Sequence, residues 1–327
     1  MSTRTHYSPE HSQITLGIVT HNSAGHIVAC LNSILEFMAD AQPTIVIIDN
    51  ASTDNTVGTI KNAAKNFPFP VELIQQPENY GFAWAVNRIC DLAQTHWICL
   101  LNPDARLKSN VYQYAREIER RIPNCGPIGG MFVDPEGNPQ ECGGAFPTPM
   151  MAIWDWCGLR KIIPRRNWST TLKYKFSSEA IPQKMDYPTG AFWLFRREVY
   201  QRVGKFDERF FLYFEETDFA KRALKQGWPA YVHPRIIIEH IKGASFQATQ
   251  SSAVGDPLAI YFESLFKYLF KHFNKPCVIF TAAAIRNFLN LRKFIYKNEK
   301  SAKVLDAFTE GSSRALGYEE LNHRQEK

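Results

Sequence analysis

Apolar residues fall into short unbroken runs closed by polar turns, and these runs alternate with stretches of helical spacing. Ile14 to Val19 (ITLGIV) is a β-branched run that ends in Thr20-His21-Asn22-Ser23. From Gly25 onward, Ile27, Val28, Leu31, Ile34 and Leu35 recur at the spacing of one helix face. Thr44 to Ile48 (TIVII) predicts a second strand closed by Asp49-Asn50, and Thr56–Ala64 a helix with Ser52 and Asp54 in capping positions ahead of it. Val71 to Ile74 predicts a third strand and Trp97 to Leu101 (WICLL) a fourth, with a helix from Phe82 to Leu92 between them, opened by Asn79-Tyr80-Gly81. Strands that are apolar throughout belong to a parallel sheet covered on both faces, so the expected class is α/β. Ligands of such sheets bind beyond the carboxyl ends of the strands. Asp49, Asn79 and Asp104 are therefore expected along one edge, facing a shared crevice.

The second half is less regular. Residues 121–187 are rich in Pro, Gly and Trp and predict short strands and loops. Tyr187 to Phe195 (YPTGAFWLF) reads as one strand-like run, Glu215 to Gln226 as a helix stopped by Gly227, and Ile236 to Ile238 as a short strand running into Glu239-His240. Beyond Pro257, Leu258 to Phe273 predicts an aromatic-rich helix, and a second amphipathic helix follows Pro276.

Composition narrows the class without choosing a function. The 327 residues are 45% hydrophobic, which suits a sizeable core, and the net charge of +6 suits an anionic ligand or membrane surface. No arginine-rich run or zinc-ligand spacing points to nucleic acid. The seven cysteines are scattered, with no CxxC pair, which fits a reducing compartment. The opening MSTRTHYSPEHSQ has no apolar h-region, so no secretory signal is expected. Cys277 to Tyr296 is interrupted by Arg286, Asn287, Asn290, Arg292 and Lys293 and is too polar to span a bilayer comfortably. A cytoplasmic location is expected.

Four constellations carry candidate chemistry. Asp49 to Asp54 (DNASTD) offers acceptors at a strand end for a nucleoside's ring N–H and ribose hydroxyls, although turn and capping chemistry alone also explains Asp49 and Ser52. Asn102-Pro103-Asp104 presents two oxygen-bearing side chains at another strand end, as a hard divalent cation neutralising a diphosphate requires; it is also a good turn sequence. Phe214-Glu215-Glu216-Thr217-Asp218 clusters carboxylates at a helix start. Such clustering raises the pKa of at least one carboxylate and suits a general base, or builds an ion-pair network. The aromatic residues Phe210, Phe211, Tyr213 and Phe214 would supply apolar walls for sugar faces. His240, at the end of a strand before a Gly-containing loop, could complete a Mn²⁺ shell or serve as an ordinary structural histidine.

The order and spacing of these motifs resemble the family 2 inverting glycosyltransferases of the GT-A fold, a Rossmann-like nucleotide-diphospho-sugar fold with a mainly parallel central sheet. The matching runs are Ile18 to Asn22, Asp49 to Asp54, Asn79 to Phe82, Leu101 to Asp104, Thr189-Gly190-Ala191, Gly204 to Glu208, Phe214 to Asp218 and His240 to Ser245. They cover roughly residues 14–275. The most similar subgroup is the bacterial rhamnosyltransferases that build O-antigen and other cell-surface polysaccharides. The resemblance implies that Thr20, Asn22, Asp49, Asp54, Asn79, Gly81, Phe82, Asn102, Asp104, Thr189 and Gly190 surround the nucleotide-sugar. It places Asp104 and His240 on a Mg²⁺ or Mn²⁺ ion and makes Glu216 the catalytic base, with Glu215 and Asp218 beside it. His21 stands where tyrosine is commoner, Glu216 where aspartate is usual, and Asn102 is a weaker metal ligand than aspartate.

The implied donor is a dTDP- or UDP-sugar, with dTDP-rhamnose ahead of a UDP-hexose. The implied acceptor is a glycan, free or carried on a polyprenyl diphosphate. The expected layout is a flexible N-terminus (1–13), a transferase domain (14–256, with a nucleotide half 14–107 and an acceptor half 108–256), amphipathic helices (257–300) and a loosely ordered polar tail (301–327). Phe266, Tyr268, Leu269, Phe270, Phe273, Ile279, Phe280 and Phe288, interleaved with lysines and arginines, suit a peripheral anchor at the inner face of the membrane. A core-packed pair of helices or a homodimer interface would use the same composition. Two rivals remain at this stage. A nucleotidyltransferase would want a Gly-rich, lysine-bearing phosphate loop that Thr20 to Ser23 lacks. A non-catalytic sugar-nucleotide binder would bind without turnover.

Overall fold

The computed structural model describes residues 13–159, 172–173, 181–241 and 255–325. The chain starts with β1 (Ile14–Thr20), α1 (Ile27–Met38), β2 (Thr44–Asp49), α2 (Thr56–Ala64), β3 (Val71–Gln75), α3 (Phe82–Leu92) and β4 (Trp97–Leu101). β5 (Ala105–Leu107), α4 (Val111–Arg121), β6 (Ile128–Val133), β7 (Glu141–Gly144) and α5 (Pro149–Trp156) follow. Next come β8 (Leu172–Lys173), β9 (Gln183–Met185), β10 (Tyr187–Pro188), β11 (Phe192–Arg196), α6 (Arg197–Val203), α7 (Glu215–Lys225) and β12 (Ala230–His240). Three helices close it: α8 (Pro257–His272), α9 (Lys275–Tyr296) and α10 (Glu299–Gln325).

Nine strands form the central sheet in the order β3-β2-β1-β4-β11-β6-β12-β5, with β9 alongside β12. β3, β2, β1 and β4 are mutually parallel, as their apolar runs require, and β6 runs parallel to β12. β11 inserts antiparallel between β4 and β6. One apolar cluster packs α1, α2 and α4 on one face of the sheet, and a second packs α3, α6 and α7 on the other. Burial of strand side chains such as Ile45, Ile47, Ile98 and Cys99, all at 0% exposure, is the main stabilising term.

Three sequence expectations change. The run from Tyr187 to Phe195 is broken at Thr189 to Ala191: β10 joins a small antiparallel sheet with β7 and β8, while β11 enters the central one. The short strand at Ile236 to Ile238 is the middle of the longer β12. The tail after residue 300 is helical, because Leu305, Ala307, Phe308 and Ala315 recur at helical spacing and bury against α8. A third apolar cluster joins α8, α9 and α10 to Phe210, Phe214 and Ala152. Phe266, Tyr268 and Leu269 of α8, expected in a membrane anchor, are core residues with at most 2% exposure. Among the described residues no helix is long and apolar enough to cross a membrane.

Candidate active site

β1 and β2 end level, with Thr20 opposite Asp49 in the parallel register. Thr20 Oγ1 donates to Asp49 Oδ1 at 2.8 Å, and Ser52 donates to the same carboxylate from Oγ at 2.6 Å and from N at 3.0 Å. Asn22, held at φ +51°, accepts from the Thr53 amide at 2.8 Å and the Asp54 amide at 3.3 Å, while its own amide donates to Ser52 Oγ at 2.9 Å. Asp54 accepts from the amides of Thr56 at 3.0 Å and Ala24 at 3.1 Å. Burial pushes the Asp54 carboxyl up, and these hydrogen bonds more than offset it, leaving it below the usual range. His21 Nδ1 lies 2.7 Å from the Asn50 carbonyl oxygen. The structure thus gathers Thr20, Asn22, Asp49 and Asp54 and spends much of their polarity on tying two loops into one rigid rim.

Asn79, Gly81 and Phe82 extend that rim toward the carboxylates. Asn79 Oδ1 accepts from the Gly81 amide at 3.0 Å, Asn50 Nδ2 donates to the Gly81 carbonyl at 3.0 Å, and the Phe82 amide donates to the Phe211 carbonyl at 2.8 Å. Gly81 sits at φ +89°, and a Cβ there would fall 2.6 Å from Phe211 O. Gly81→Ala therefore combines backbone strain with a clash against main chain. It is expected to destabilise the protein by about 2 kcal/mol or more, read as a lower denaturant midpoint at unchanged slope.

At the end of β4 the chain turns through Asn102-Pro103-Asp104 into β5. β5 pairs antiparallel with the end of β12, placing His240 opposite Ala105, and the Ile241 amide donates to the Asp104 carbonyl at 3.2 Å. This register brings His240 Nε2 within 3.5 Å of Asp104 Oδ1, although 136 positions separate the two in the chain. Asp104 is 4% exposed. Adjacent oxygen and nitrogen ligands on a Mg²⁺ or Mn²⁺ ion at about 2.1 Å stand roughly 3 Å apart, so the pair fits a shared cation. Among the described residues no group of three or more His, Cys, Asp or Glu side chains could hold a metal. The remaining coordination positions would fall to diphosphate oxygens and water. Lys242, Gly243, Ala244 and Ser245 lie outside the described residues.

The broken run after β10 links this pair to the carboxylates. The Asn102 amide donates to the Ala191 carbonyl at 2.9 Å, and the Thr189 amide donates to the Cys142 carbonyl at 3.0 Å. A Cβ on Gly190 would lie 3.4 Å from the Glu216 carboxyl carbon, so the Glu216 side chain lies beside Gly190 with room for little more than a methyl group between them. One short loop therefore bonds to the turn before Asp104 on one side and runs beside the candidate base on the other.

Tyr213 and Phe214 both sit at φ +68°, a strained conformation for bulky residues, and set the direction in which α7 starts. Glu216 lines a cavity of about 200 Å³ walled by Trp156, Tyr187, Tyr213 and Tyr261, with Asp155 also at its lining. Glu216 Oε2 has no hydrogen-bond partner among the described residues. Burial pushes the Glu216 carboxyl up to about 7. Glu215, 4% exposed, is raised well above the usual range, by burial first and then by the charge of Glu216.

The rest of this cluster divides between the cavity and the core. Asp218 does not line the cavity; its fully buried carboxylate is held by Arg222 at 2.8 Å, Lys271 at 2.8 Å and His272 at 2.9 Å, on the side of α7 that faces α8. Burial would raise its pKa, but those three groups more than compensate and lower it. Of the aromatics expected as walls, Tyr213 and Phe214 line the cavity, whereas Phe210 is core and Phe211 packs against Gly81. Asp155, Trp156, Tyr187 and Tyr261 were not singled out from the sequence. They come from three distant segments that share no spacing signal.

The family described as Glycosyl transferase family 2 matches residues 15–204, more than half of the chain. The chain belongs to glycosyl transferase family 2. Among characterised relatives, it is 27% identical over 242 residues to the N-acetylglucosaminyl-diphospho-decaprenol L-rhamnosyltransferase of Mycobacterium tuberculosis, covering 69% of this chain and 75% of that protein. The glycosyltransferase SunS of Bacillus subtilis is 32% identical over 110 residues, covering 32% of this chain and 24% of SunS. Among solved structures, GalNAc-T7 with UDP, GalNAc and Mn²⁺ superposes with a TM-score of 0.59 at 12% identity, covering 81% of this chain but only 49% of that one. The mannosyltransferase PcManGT of Pyrobaculum calidifontis, in complex with GDP-Man and Mn²⁺, gives 0.54 at 15% identity, covering 93% and 87%. These neighbours establish the GT-A fold. The chain is a glycosyltransferase, and the nucleotidyltransferase alternative falls away.

Proposed function

We propose that this glycosyltransferase moves L-rhamnose from dTDP-rhamnose onto a hydroxyl of a glycan carried on a polyprenyl diphosphate, with inversion at the anomeric carbon. The observation that supports the mechanism is the loop from Thr189 to Ala191, bonded to the turn before the Asp104–His240 pair at one point and lying beside Glu216 at another. The rhamnose donor and lipid-linked acceptor are supported by the name of the mycobacterial relative.

Glu216 takes the proton of the acceptor hydroxyl as that oxygen bonds to the anomeric carbon. The bond from the anomeric carbon to the phosphate oxygen breaks, and its electron pair leaves with the nucleoside diphosphate. A single displacement needs no enzyme nucleophile, and the aromatic walls beside Glu216 offer faces on which an acceptor sugar stacks. Asp104 and His240 would hold a Mg²⁺ or Mn²⁺ ion, which supplies neutralisation of the departing diphosphate charge. Thr20, Asn22, Asp49 and Asp54 keep the nucleotide rim rigid, and Asn102, Thr189 and Gly190 position the turn between donor and base.

A base held near pH 7 gives a defined pH profile. Glu216 works only when deprotonated, so kcat/KM is expected to rise with pH up to about 7 and level off above it. A profile flat from acid to neutral pH would remove Glu216 as the base. The donor is tested by turnover of purified protein with dTDP-rhamnose or UDP-hexoses and a soluble diphosphate-linked acceptor. Faster transfer from a UDP-hexose would replace the donor and leave the site chemistry standing.

A further inference from the structure

α9 has two faces with different surroundings. Val278, Thr281, Ile285 and Leu289 are buried against α8, α10 and α5. On the outer side Phe280 is 68% exposed, Leu291 54%, Phe294 74% and Ile295 61%. At 100° per residue Phe280, Leu291 and Phe294 fall within roughly 60° of each other, so they form one stripe, with Ile295 at its margin. Large apolar side chains aligned along a helix and left in water mark an interaction surface.

The charges beside the stripe choose its partner. From Lys275 to Asn298 the chain carries Lys275, Arg286, Arg292, Lys293 and Lys297 and no acidic residue. A second copy of α9 would bring like charges together, whereas an anionic lipid surface complements them. The position fits as well. α9 packs along α5, where a Cβ on Gly158 would lie 3.7 Å from Phe288, and α5 supplies Asp155 and Trp156 to the cavity beside Glu216.

We propose that α9 seats the enzyme on an anionic bilayer, with Phe280, Leu291, Phe294 and Ile295 among the upper acyl chains and the exposed Lys293 and Lys297 at the headgroups. The lipid-linked acceptor reading gives this contact its purpose, but the contact itself is measurable without turnover. The test is co-sedimentation of the full chain with vesicles containing phosphatidylglycerol and with vesicles of phosphatidylcholine alone.

Binding to the anionic vesicles is expected, weakening as salt rises. Phe280→Ser with Phe294→Ser is expected to reduce it about tenfold or more, and Lys293→Gln with Lys297→Gln roughly tenfold. These positions are exposed, so both variants should keep wild-type turnover of a soluble acceptor analogue. That assay separates failure of the membrane contact from failure of the proposed chemistry. Absence of binding, binding unchanged in both variants, or a solution dimer that the phenylalanine variant splits would overturn the proposal.

Discussion

Glu216→Gln is expected to lower kcat by roughly 10²- to 10⁴-fold, the range a positioned general base contributes, while donor binding stays near wild type. The substitution keeps the shape of the side chain and its place beside Gly190, so the loss falls on proton removal. Stability should move the other way. Because the folded-state pKa of Glu216 is raised, its contribution to stability is full below the unfolded carboxyl value and is lost as pH rises through about 7. Glutamine has no charge to bury beside Glu215, so the variant's Tm should gain on wild type between pH 5 and 8. Slow turnover in an equally or more stable protein is the signature of a catalytic base. Near-normal turnover would remove Glu216 from that role.

Asp218→Asn carries the largest expected effect on stability. The fully buried carboxylate neutralises Arg222 and Lys271 and is hydrogen-bonded to His272, whose own pKa burial lowers, and α8 is held to α7 partly through it. Removing one member of a buried ion-pair cluster leaves uncompensated charge and costs about 3–5 kcal/mol. The lower end applies here, because Lys271 also pairs with Asp207 at 2.6 Å and Arg222 donates to the Val203 and Lys205 carbonyls. The pKa of Asp218 is lowered, so its contribution is present above the unfolded carboxyl value and fades as pH falls through the folded one. Chemical denaturation at pH 7 should show the loss and at strongly acid pH much less of it. Turnover per folded molecule should stay within a few-fold of wild type. A collapse of kcat without loss of stability would return Asp218 to the chemistry.

Which parts were legible in the sequence follows from how local their signals are. β1, β2, β3 and β4 end where their apolar runs meet polar residues, since a buried strand must be apolar and its end must turn in water. The meeting of Asp104 with His240 depends on pairing between β5 and β12, which no periodicity encodes; the family resemblance supplied it, and the register in the structure explains it. The cavity wall from Asp155, Trp156 and Tyr261 was illegible, because it exists only once α5 and α8 pack beside α7. The aromatics of α8 looked like an anchor because composition cannot distinguish a ring facing lipid from one facing a core. Phe266 and Tyr268 are buried, and Phe280 and Phe294 are not. The composition of the tail predicts a polar, loose segment because its few apolar residues are diluted by charge, yet Leu305, Phe308 and Ala315 suffice to dock a helix on α8.

The proposed mechanism has the Asp104 carboxylate and the His240 imidazole, 3.5 Å apart, share one cation at the donor site. Calorimetric titration of dTDP and of UDP, with and without Mn²⁺, into wild type, Asp104→Ala and His240→Ala tests it most directly. Mn²⁺ is expected to tighten nucleotide binding to the wild type by about tenfold or more and to do little for either variant. Equal tightening by Mn²⁺ in all three proteins would contradict the shared site.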